Sequence, residues 1–222
     1  MSSETDMDSK NVVLISGGID SAVTFAEAHK TGEVTAVHVS YGQLTEEKEL
    51  ECSRRLTEQY GAELVTVPLH EAFSRFTDGL TDRDVDLSVH YDEEGVATSY
   101  VPMRNTVFLS VAAGVAEDRN AKHIWYGPNA EDRRGYADCR DEYAEAMAKA
   151  LSLGTDRIDF ELHRPVVGME KYEIIERGDE LGVPFEDTWS CYQEGDEPCG
   201  ECASCEERRK GFESAGVRDP CT

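Results

Sequence analysis

Residues 16–21, with the sequence SGGIDS, combine two glycines, two hydroxyls and one carboxylate in six positions. They follow the apolar run 12–15, which predicts a buried strand ending in a tight turn. Glycine lets the backbone approach a ligand closely, and a following helix N-terminus favours an anion such as phosphate. Asp20 supplies a carboxylate for a metal ion that neutralises bound phosphates. The segment therefore predicts a phosphate-binding loop; the alternative is an ordinary loop in which Asp20 and Ser21 cap a helix.

Four cysteines follow one another near the end of the chain at the spacing C-x7-C-x2-C-x2-C, namely Cys191, Cys199, Cys202 and Cys205. Four thiolates at this spacing suit one tetrahedral Zn2+, because tight turns bring sulfurs three residues apart onto a common ion. A shell of four sulfurs leaves no position for water, which favours a structural role. A redox cysteine pair and an iron–sulfur cluster remain as alternatives.

The segments VPMRN and GYADCR form a third cluster, each just before a predicted helix. Arg104 in the first segment can pair with a carboxylate or a phosphate. In the second, Tyr136 can stack on a heterocycle and Asp138 can accept hydrogen bonds from a purine-like edge, with Arg140 beside them. Cys139 is either a covalent nucleophile or a polar bystander. The alternative for both segments is a helix cap with solvated charge.

The chain is strongly acidic: 46 Asp and Glu stand against 22 Lys and Arg among 222 residues, a net charge of -24. Such a charge repels phosphate backbones and anionic membranes, so we expect no nucleic-acid or membrane partner. We interpret the acids, which are scattered along the chain, as adaptation to a salt-filled cytoplasm. The apolar runs are far shorter than the roughly 20 residues that span a bilayer, and the first residues do not resemble a signal peptide. We therefore expect a soluble, cytoplasmic protein.

Strand-like and helix-like periodicities alternate along the chain, which predicts an α/β fold with a doubly wound parallel sheet. The polar residues 1–10 predict a disordered tail, and residues 70–98 a long loop or lid. We expect the nucleotide-binding domain over residues 11–186 and a small zinc module over 187–222. The predicted strands cover 12–15, 34–41, 62–69, 122–126 and 158–166, and the helices 22–29, 46–60, 105–118, 141–151 and 170–181.

The string SGGIDS resembles the SGGxDS pyrophosphate loop of the PP-loop ATP pyrophosphatases. Together with VPMRN, GYADCR and the spaced cysteines, nearly the whole chain resembles the 7-cyano-7-deazaguanine synthase family. In that family the first of the four cysteines lies in an SCY motif, which stands here at residues 190–192. An arginine, a GF pair and a DP pair follow the cysteines, here at Arg208, 211–212 and 219–220. The chain departs from the family at Arg134 and Ala137, where serine and proline are usual.

The resemblance implies an adenine nucleotide alpha-hydrolase-like fold and the cofactors ATP, Mg2+ and Zn2+. ATP would be split to AMP and pyrophosphate while 7-carboxy-7-deazaguanine and ammonia become the nitrile, through an adenylated carboxylate and an adenylated amide. Asp20 would hold Mg2+, and Lys171 would neutralise the α-phosphate as the second catalytic residue. The implied nucleotide-binding residues are Ile15, Ser16, Gly17, Gly18, Ile19, Asp20, Ser21, Ala22, Val23, Thr24 and Phe25.

Arg104, Tyr136, Asp138 and Arg140 would then bind the deazaguanine and its carboxylate. Two other functions stay open: another PP-loop enzyme, such as a tRNA-modifying thiolase, and a non-catalytic zinc-knuckle binding module. The sequence leaves the oligomeric state open, with a homodimer as one candidate, and leaves open whether the product feeds archaeosine or queuosine.

Overall fold

A five-stranded parallel sheet forms the centre of the protein, in a computed structural model that describes residues 9–76, 80–81 and 99–221. The strand order is β3-β2-β1-β4-β5, and each neighbouring pair runs parallel. The predicted doubly wound α/β fold is therefore confirmed. The strands are β1 (Ser9–Leu14), β2 (Gly32–Ser40), β3 (Glu63–Pro68), β4 (His123–Trp125) and β5 (Glu161–His163).

Eight α-helices lie in the described ranges, and all five predicted helices are among them. The sequence interpretation missed α3, α5 and α8, because the first two are short and α8 begins among the cysteines. The helices are α1 (Ile19–His29), α2 (Glu46–Gln59), α3 (His70–Phe73), α4 (Arg104–Arg119), α5 (Ala130–Gly135), α6 (Asp141–Leu153), α7 (Lys171–Leu181) and α8 (Ala203–Ala215).

Two apolar layers cover the sheet, because successive strand residues face opposite sides. Val13 points toward a core that contains Phe25 of α1, Leu56 of α2 and Ile175 of α7. Its neighbour Val12 points toward the second core, which α4 and α6 complete. Because all five strands run parallel, their carboxyl ends lie at one edge of the sheet.

The predicted tail and the predicted loop lie mainly outside the described residues. Ser9 and Lys10, the last residues of the predicted tail, begin β1, while residues 1–8 lie outside. Residues 70–73 of the predicted loop form α3, whereas residues 77–79 and 82–98 lie outside. Within the described ranges, no helix has both the length and the apolar character needed to cross a bilayer.

Helix α8 joins the chain's C-terminal part to the sheet domain. The Phe212 ring meets Phe185 edge-on at 5.1 Å, and both belong to the core that contains α1 and α7. Arg208 is 6% exposed and donates to Asp219 over 2.8 Å and to the carbonyl of Phe185 over 3.3 Å. The division into a nucleotide-binding domain that ends at residue 186 and a zinc module that begins at residue 187 stays a prediction.

Candidate active site

The turn after β1 requires glycine at position 17. Gly17 has a φ of +74°, and a Cβ there would lie 2.6 Å from the Glu49 carbonyl oxygen. Ser21 Oγ donates to the Gly18 carbonyl over 3.0 Å and accepts from the Ser16 amide over 3.2 Å, which fixes the turn. Gly18, the residue before α1, gives that helix no side-chain cap. The start of α1 therefore presents backbone N–H groups of the kind that bind a phosphate.

A cleft of about 300 Å³ lies over this turn, at the carboxyl ends of β1, β2 and β4. Leu14 and Ile15, Val39 and Tyr126 line it from the ends of these strands. The predicted loop contributes Ser16, Gly18, Ile19, Asp20 and Ser21 to the lining. A cleft at this edge of an open parallel sheet is where ligands of α/β proteins bind.

Lys171 and Asp20 meet inside the cleft although 151 positions separate them in the chain. Lys171 Nζ, from the start of α7, donates to both Asp20 carboxylate oxygens over 2.7 Å. The side chains are 21% and 19% exposed. Burial disfavours the charged ammonium, but the charge and the hydrogen bonds of Asp20 outweigh it and raise the pKa of Lys171. A charged lysine thus faces the phosphate-binding turn.

Asn129 is a third member of this centre, and the sequence interpretation missed it. Its Nδ2 donates to Asp20 Oδ2 over 2.9 Å, while its Oδ1 accepts from the amides of Glu131 and Asp132. The two amides fix the orientation of the side chain, because only Nδ2 can then face the carboxylate. A signal for Asn129 is present in the sequence: it follows Gly127 and Pro128 shortly after β4, at the strand end where ligands of α/β proteins bind.

Asp132 also lines the cleft, and its carboxylate accepts from the Asn129 amide over 3.0 Å. Burial raises the pKa of Asp132, against the effect of that hydrogen bond. Asp20 and Asp132 thus bring carboxylate oxygens, the ligands that Mg2+ prefers, to the same cleft as the phosphate-binding turn. This donor set fits the predicted magnesium ion.

Gly211 of α8 lies directly behind Lys171. A Cβ at this position would be 2.6 Å from Lys171 Cγ and 2.8 Å from Ile175 Cδ1. The aliphatic stem of Lys171 therefore passes over a helix surface that has no side chain. The absence of a side chain at Gly211 leaves the room that lets Lys171 reach Asp20.

Arg104 and Tyr136 line the far part of the cleft. Arg104 begins α4, directly after Met103 in the left-handed conformation (φ 57°), and its Nη1 donates to Tyr41 Oη over 3.3 Å. Tyr136 Oη lies 2.8 Å from Ser99 Oγ. The cleft thus has a guanidinium, which can pair with a carboxylate or phosphate, and an aromatic ring, which can stack on a planar ligand.

Asp138 and Arg140 do not line this cleft. Asp138 is half-buried and accepts from the thiol of Cys139 over 3.6 Å. Arg140 is exposed and borders a separate cavity beside Arg134, because the chain turns away from the cleft at the start of α6. Their substrate contacts stay predictions. Arg134, one of the two departures from the family pattern, donates to Glu170 over 2.9 Å.

Cys139 lines the cleft as a buried thiol. Burial, and then the charge of Asp132, raises the pKa of Cys139 well above its usual value. A thiol held protonated is a poor nucleophile, which favours the polar bystander over the covalent nucleophile.

The predicted nucleotide-binding stretch extends from the cleft into the core. Its first part lines the cleft, but Ala22, Val23, Thr24 and Phe25 are buried residues of α1 itself. Ala22, Val23 and Phe25 belong to the core shared with α7. A nucleotide contact of these four side chains stays a prediction, and packing accounts for their positions in the structure.

The four predicted zinc ligands lie together at the rim of the cleft, with all their Sγ atoms within 4.8 Å of one another. Cys199 and Cys205 Sγ are 4.0 Å apart, close to the roughly 3.8 Å expected when four sulfurs surround one Zn2+ at about 2.3 Å. The amides of Gln193 and Cys199 donate to Cys191 Sγ over 3.3 and 3.4 Å, as thiolate ligands require. The residues therefore fit zinc.

The cysteine cluster touches the phosphate-binding turn through its leading segment. The Trp189 amide donates to the Gly17 carbonyl over 2.9 Å. Trp189, Cys191 and Tyr192 all line the cleft. The cysteine cluster thus adjoins one wall of the cleft.

Comparison with known proteins gives a match over nearly the full chain. Residues 10–216 match the family model described as Queuosine biosynthesis protein QueC. A 7-cyano-7-deazaguanine synthase of Sulfurovum sp. (strain NBC37-1) is 46% identical over 217 residues, which cover 96% of this chain and 98% of that protein. A 7-cyano-7-deazaguanine synthase of Methanospirillum hungatei is 43% identical over 216 residues, covering 95% of this chain and 98% of that protein.

The similarity to a solved structure of low sequence identity supports the fold alone. That structure is described as a predicted subunit of tRNA methyltransferase from Methanocaldococcus jannaschii, with a TM-score of 0.51 and 12% identity. The similarity covers 96% of this chain and 90% of that one. It supports the architecture of the sheet and carries no argument about the reaction.

Proposed function

The chain belongs to the QueC family of queuosine biosynthesis proteins, and we propose that it converts 7-carboxy-7-deazaguanine, ammonia and ATP into 7-cyano-7-deazaguanine. The observation that carries this proposal is the centre of Asp20, Lys171 and Asn129 in a cleft beside a phosphate-binding turn. A carboxylate is a poor electrophile, and transfer of AMP to it creates a leaving group. The carbon then accepts ammonia without a strong external acid or base.

Each half of the reaction consumes one ATP. A substrate carboxylate oxygen attacks the α-phosphorus of ATP and releases pyrophosphate, and ammonia then displaces AMP to give the amide after loss of a proton. The amide oxygen attacks the α-phosphorus of a second ATP, again releasing pyrophosphate. AMP leaves with this oxygen as the amide nitrogen loses its protons, and the carbon–nitrogen triple bond forms.

We assign the leaving pyrophosphate to the turn over residues 16–21, whose amides and hydroxyls suit its charge. Lys171 neutralises charge that develops on the α-phosphate, and its raised pKa keeps it cationic at neutral pH. Asn129 holds the Asp20 carboxylate in place. We further propose that Asp20 and Asp132 hold Mg2+, which would supply positive charge against the triphosphate.

The far part of the cleft suits the deazaguanine. We assign the substrate carboxylate to Arg104, because a guanidinium pairs with a carboxylate through two hydrogen bonds. Tyr136 offers a ring for stacking, and its neighbour Tyr100 lies nearly parallel at 6.3 Å. Asp138 and Arg140 do not line the cleft, so they would reach the deazaguanine only if the turn that carries them moves toward it.

We propose a structural zinc ion at the four cysteines. Zinc bound by four thiolates ties the segment of Trp189 to α8 and leaves no open position for a substrate. Arg208, buried among the carbonyls of Phe185 and Thr188, supports the same segment from the other side. In this proposal the zinc ion supports the wall of the cleft, and the residues around Asp20 carry out the reaction.

The acidic composition supports a further part of the proposal, adaptation to high salt. Repulsion within a net charge of -24 opposes the compact state, and salt screens that repulsion. The homodimer also stays a proposal.

The Asp20→Asn variant tests the assignment of the catalytic centre. Asparagine keeps the shape of the side chain but removes the charge that pairs with Lys171, so we expect a folded protein that forms no AMP. The measurement is AMP release from ATP with 7-carboxy-7-deazaguanine, ammonia and saturating Mg2+, beside a thermal melt. Asp179→Asn on the exposed side of α7 is the control and should keep full turnover. Wild-type turnover of Asp20→Asn would contradict the assignment.

A further inference from the structure

A second group of metal-ligating side chains lies on β4 and β5, outside the cleft. His123 and Glu161 are partners across the two parallel strands, and His163 follows Glu161 by two residues. Residues two apart in a strand share a face, so the register brings all three side chains to one side of the sheet. The pairing of β4 with β5 therefore sets the relative positions of the three residues, and no loop is needed to bring them together.

The three ligand atoms have the separations of a metal site. His123 Nδ1 lies 2.9 Å from His163 Nε2 and 3.3 Å from Glu161 Oε2, and His163 Nε2 lies 3.8 Å from the same oxygen. A tetrahedral ion with bonds of about 2.05 Å places its ligand atoms about 3.3 Å apart. The observed distances bracket this value, so small side-chain rotations suffice to bind an ion.

Neighbouring side chains orient these ligands. The Trp125 indole stacks on the His163 ring at 4.3 Å with a 20° angle between the planes. Lys122 Nζ pairs with Glu161 Oε1, which leaves Oε2 toward the imidazoles. Outer contacts of this kind accompany metal-binding histidines in proteins.

The group is open to ions from solution. The side chains of His123, His163 and Glu161 are 25%, 32% and 49% exposed. An ion held by all three would keep a further position for water. None of the three residues lines the catalytic cleft, so the site acts apart from the chemistry described above.

We propose that His123, Glu161 and His163 bind one divalent transition-metal ion of the Co2+, Ni2+ or Zn2+ class. Two imidazoles and one carboxylate suit these ions better than Mg2+ or Ca2+, which prefer oxygen ligands. The ion links β5, the edge strand, to β4. Tyr126 of the cleft directly follows β4, and β5 precedes α7, which carries Lys171. The ion would therefore stabilise the part of the sheet that positions the active site.

Titration of the zinc-loaded, full-length protein with Co2+ tests this site. We expect one Co2+ equivalent to bind by calorimetry, with visible ligand-field bands and no thiolate-to-cobalt charge-transfer band. The absence of that band separates this site from exchange of the ion at the four cysteines. We also expect bound Co2+ to raise the melting temperature.

Single variants His123→Asn and His163→Asn should each weaken Co2+ binding more than 10-fold and abolish the rise in melting temperature. Without Co2+, both should melt near the wild-type temperature, which shows that they fold. His70→Asn is the matched control, because His70 Nε2 also meets a glutamate, Glu46 Oε2 at 2.7 Å, while no second histidine among the described residues joins this pair. Two results would overturn the proposal: no Co2+ binding beyond the cysteine site, or binding that both variants retain.

Discussion

Replacement of Gly211 by alanine tests how the structure aims Lys171. The new methyl group would lie 2.6 Å from Lys171 Cγ and 2.8 Å from Ile175 Cδ1. Both distances are shorter than carbon atoms tolerate, so either the lysine stem or α8 must shift. Because Lys171 Nζ bonds both oxygens of Asp20, a shift of the stem separates the two charges.

The size of the effect follows from packing. An extra methyl group in a filled site costs about 1–3 kcal/mol. For a chain of this length, each kcal/mol lowers the melting temperature by roughly 2–4 °C. We therefore expect Gly211→Ala to melt about 2–12 °C below the wild type. At a temperature where the variant is fully folded, its AMP-forming kcat should still fall at least about 10-fold, because each tenfold needs only about 1.4 kcal/mol of lost transition-state stabilisation.

Two other helix glycines are matched controls. Gly114 of α4 is exposed with no atom within 4 Å of an added Cβ, so Gly114→Ala should gain about 0.5–1 kcal/mol from helix propensity. Gly178 of α7 would place its Cβ 2.6 Å from Phe185 and 2.9 Å from Val23, away from the lysine. Gly178→Ala should lose stability and keep kcat at a temperature where it is folded. A Gly211→Ala enzyme with wild-type kcat and an unchanged melting temperature would refute the reasoning.

Three further predictions concern the centre, the cysteines and the charge. Asn129→Asp replaces the Nδ2 group, which lies 2.9 Å from Asp20 Oδ2, with a carboxylate oxygen that repels it. We expect a folded chain whose AMP formation falls at least tenfold in steady-state assays, and retained activity would contradict the role of Asn129 in positioning Asp20. Cys191→Ser should lose the zinc found by elemental analysis and become protease-sensitive near Trp189, whereas Cys139→Ser should keep its zinc and its turnover; the reverse pattern would refute the structural assignment. The melting temperature should rise between 0.1 and about 2 M KCl, as the screening length falls from about 10 Å to below roughly 3 Å, and a flat or falling curve would contradict the salt adaptation.

The sequence predicted the parts of the fold and of the site that depend on local pattern. The alternation of apolar strands and amphipathic helices was enough for the parallel sheet, because each element buries its own face. The turn at residues 16–21 and the spaced cysteines were identifiable because their members lie close together in the chain. Helix α8 was missed since its first turn carries Cys205, which drew the interpretation toward a loop.

Residues whose role depends on distant neighbours could not be identified from the sequence. Asn129 matters because it meets Asp20, 109 positions away, and Gly211 because it passes behind Lys171. An asparagine or a glycine in a sequence does not by itself indicate a contact with a distant residue. Asp138 and Arg140 show the converse: they flank Cys139 in the sequence, and Cys139 lines the cleft, yet neither of them does.

Mass spectrometry of the product, together with a count of AMP, tests the central claim most directly. The purified protein is incubated with ATP, an ammonium salt and 7-carboxy-7-deazaguanine. We expect 7-cyano-7-deazaguanine as the final product, with two AMP and two pyrophosphate formed for each nitrile. Formation of ADP, or no product from this acid while AMP is formed with another substrate, would contradict it.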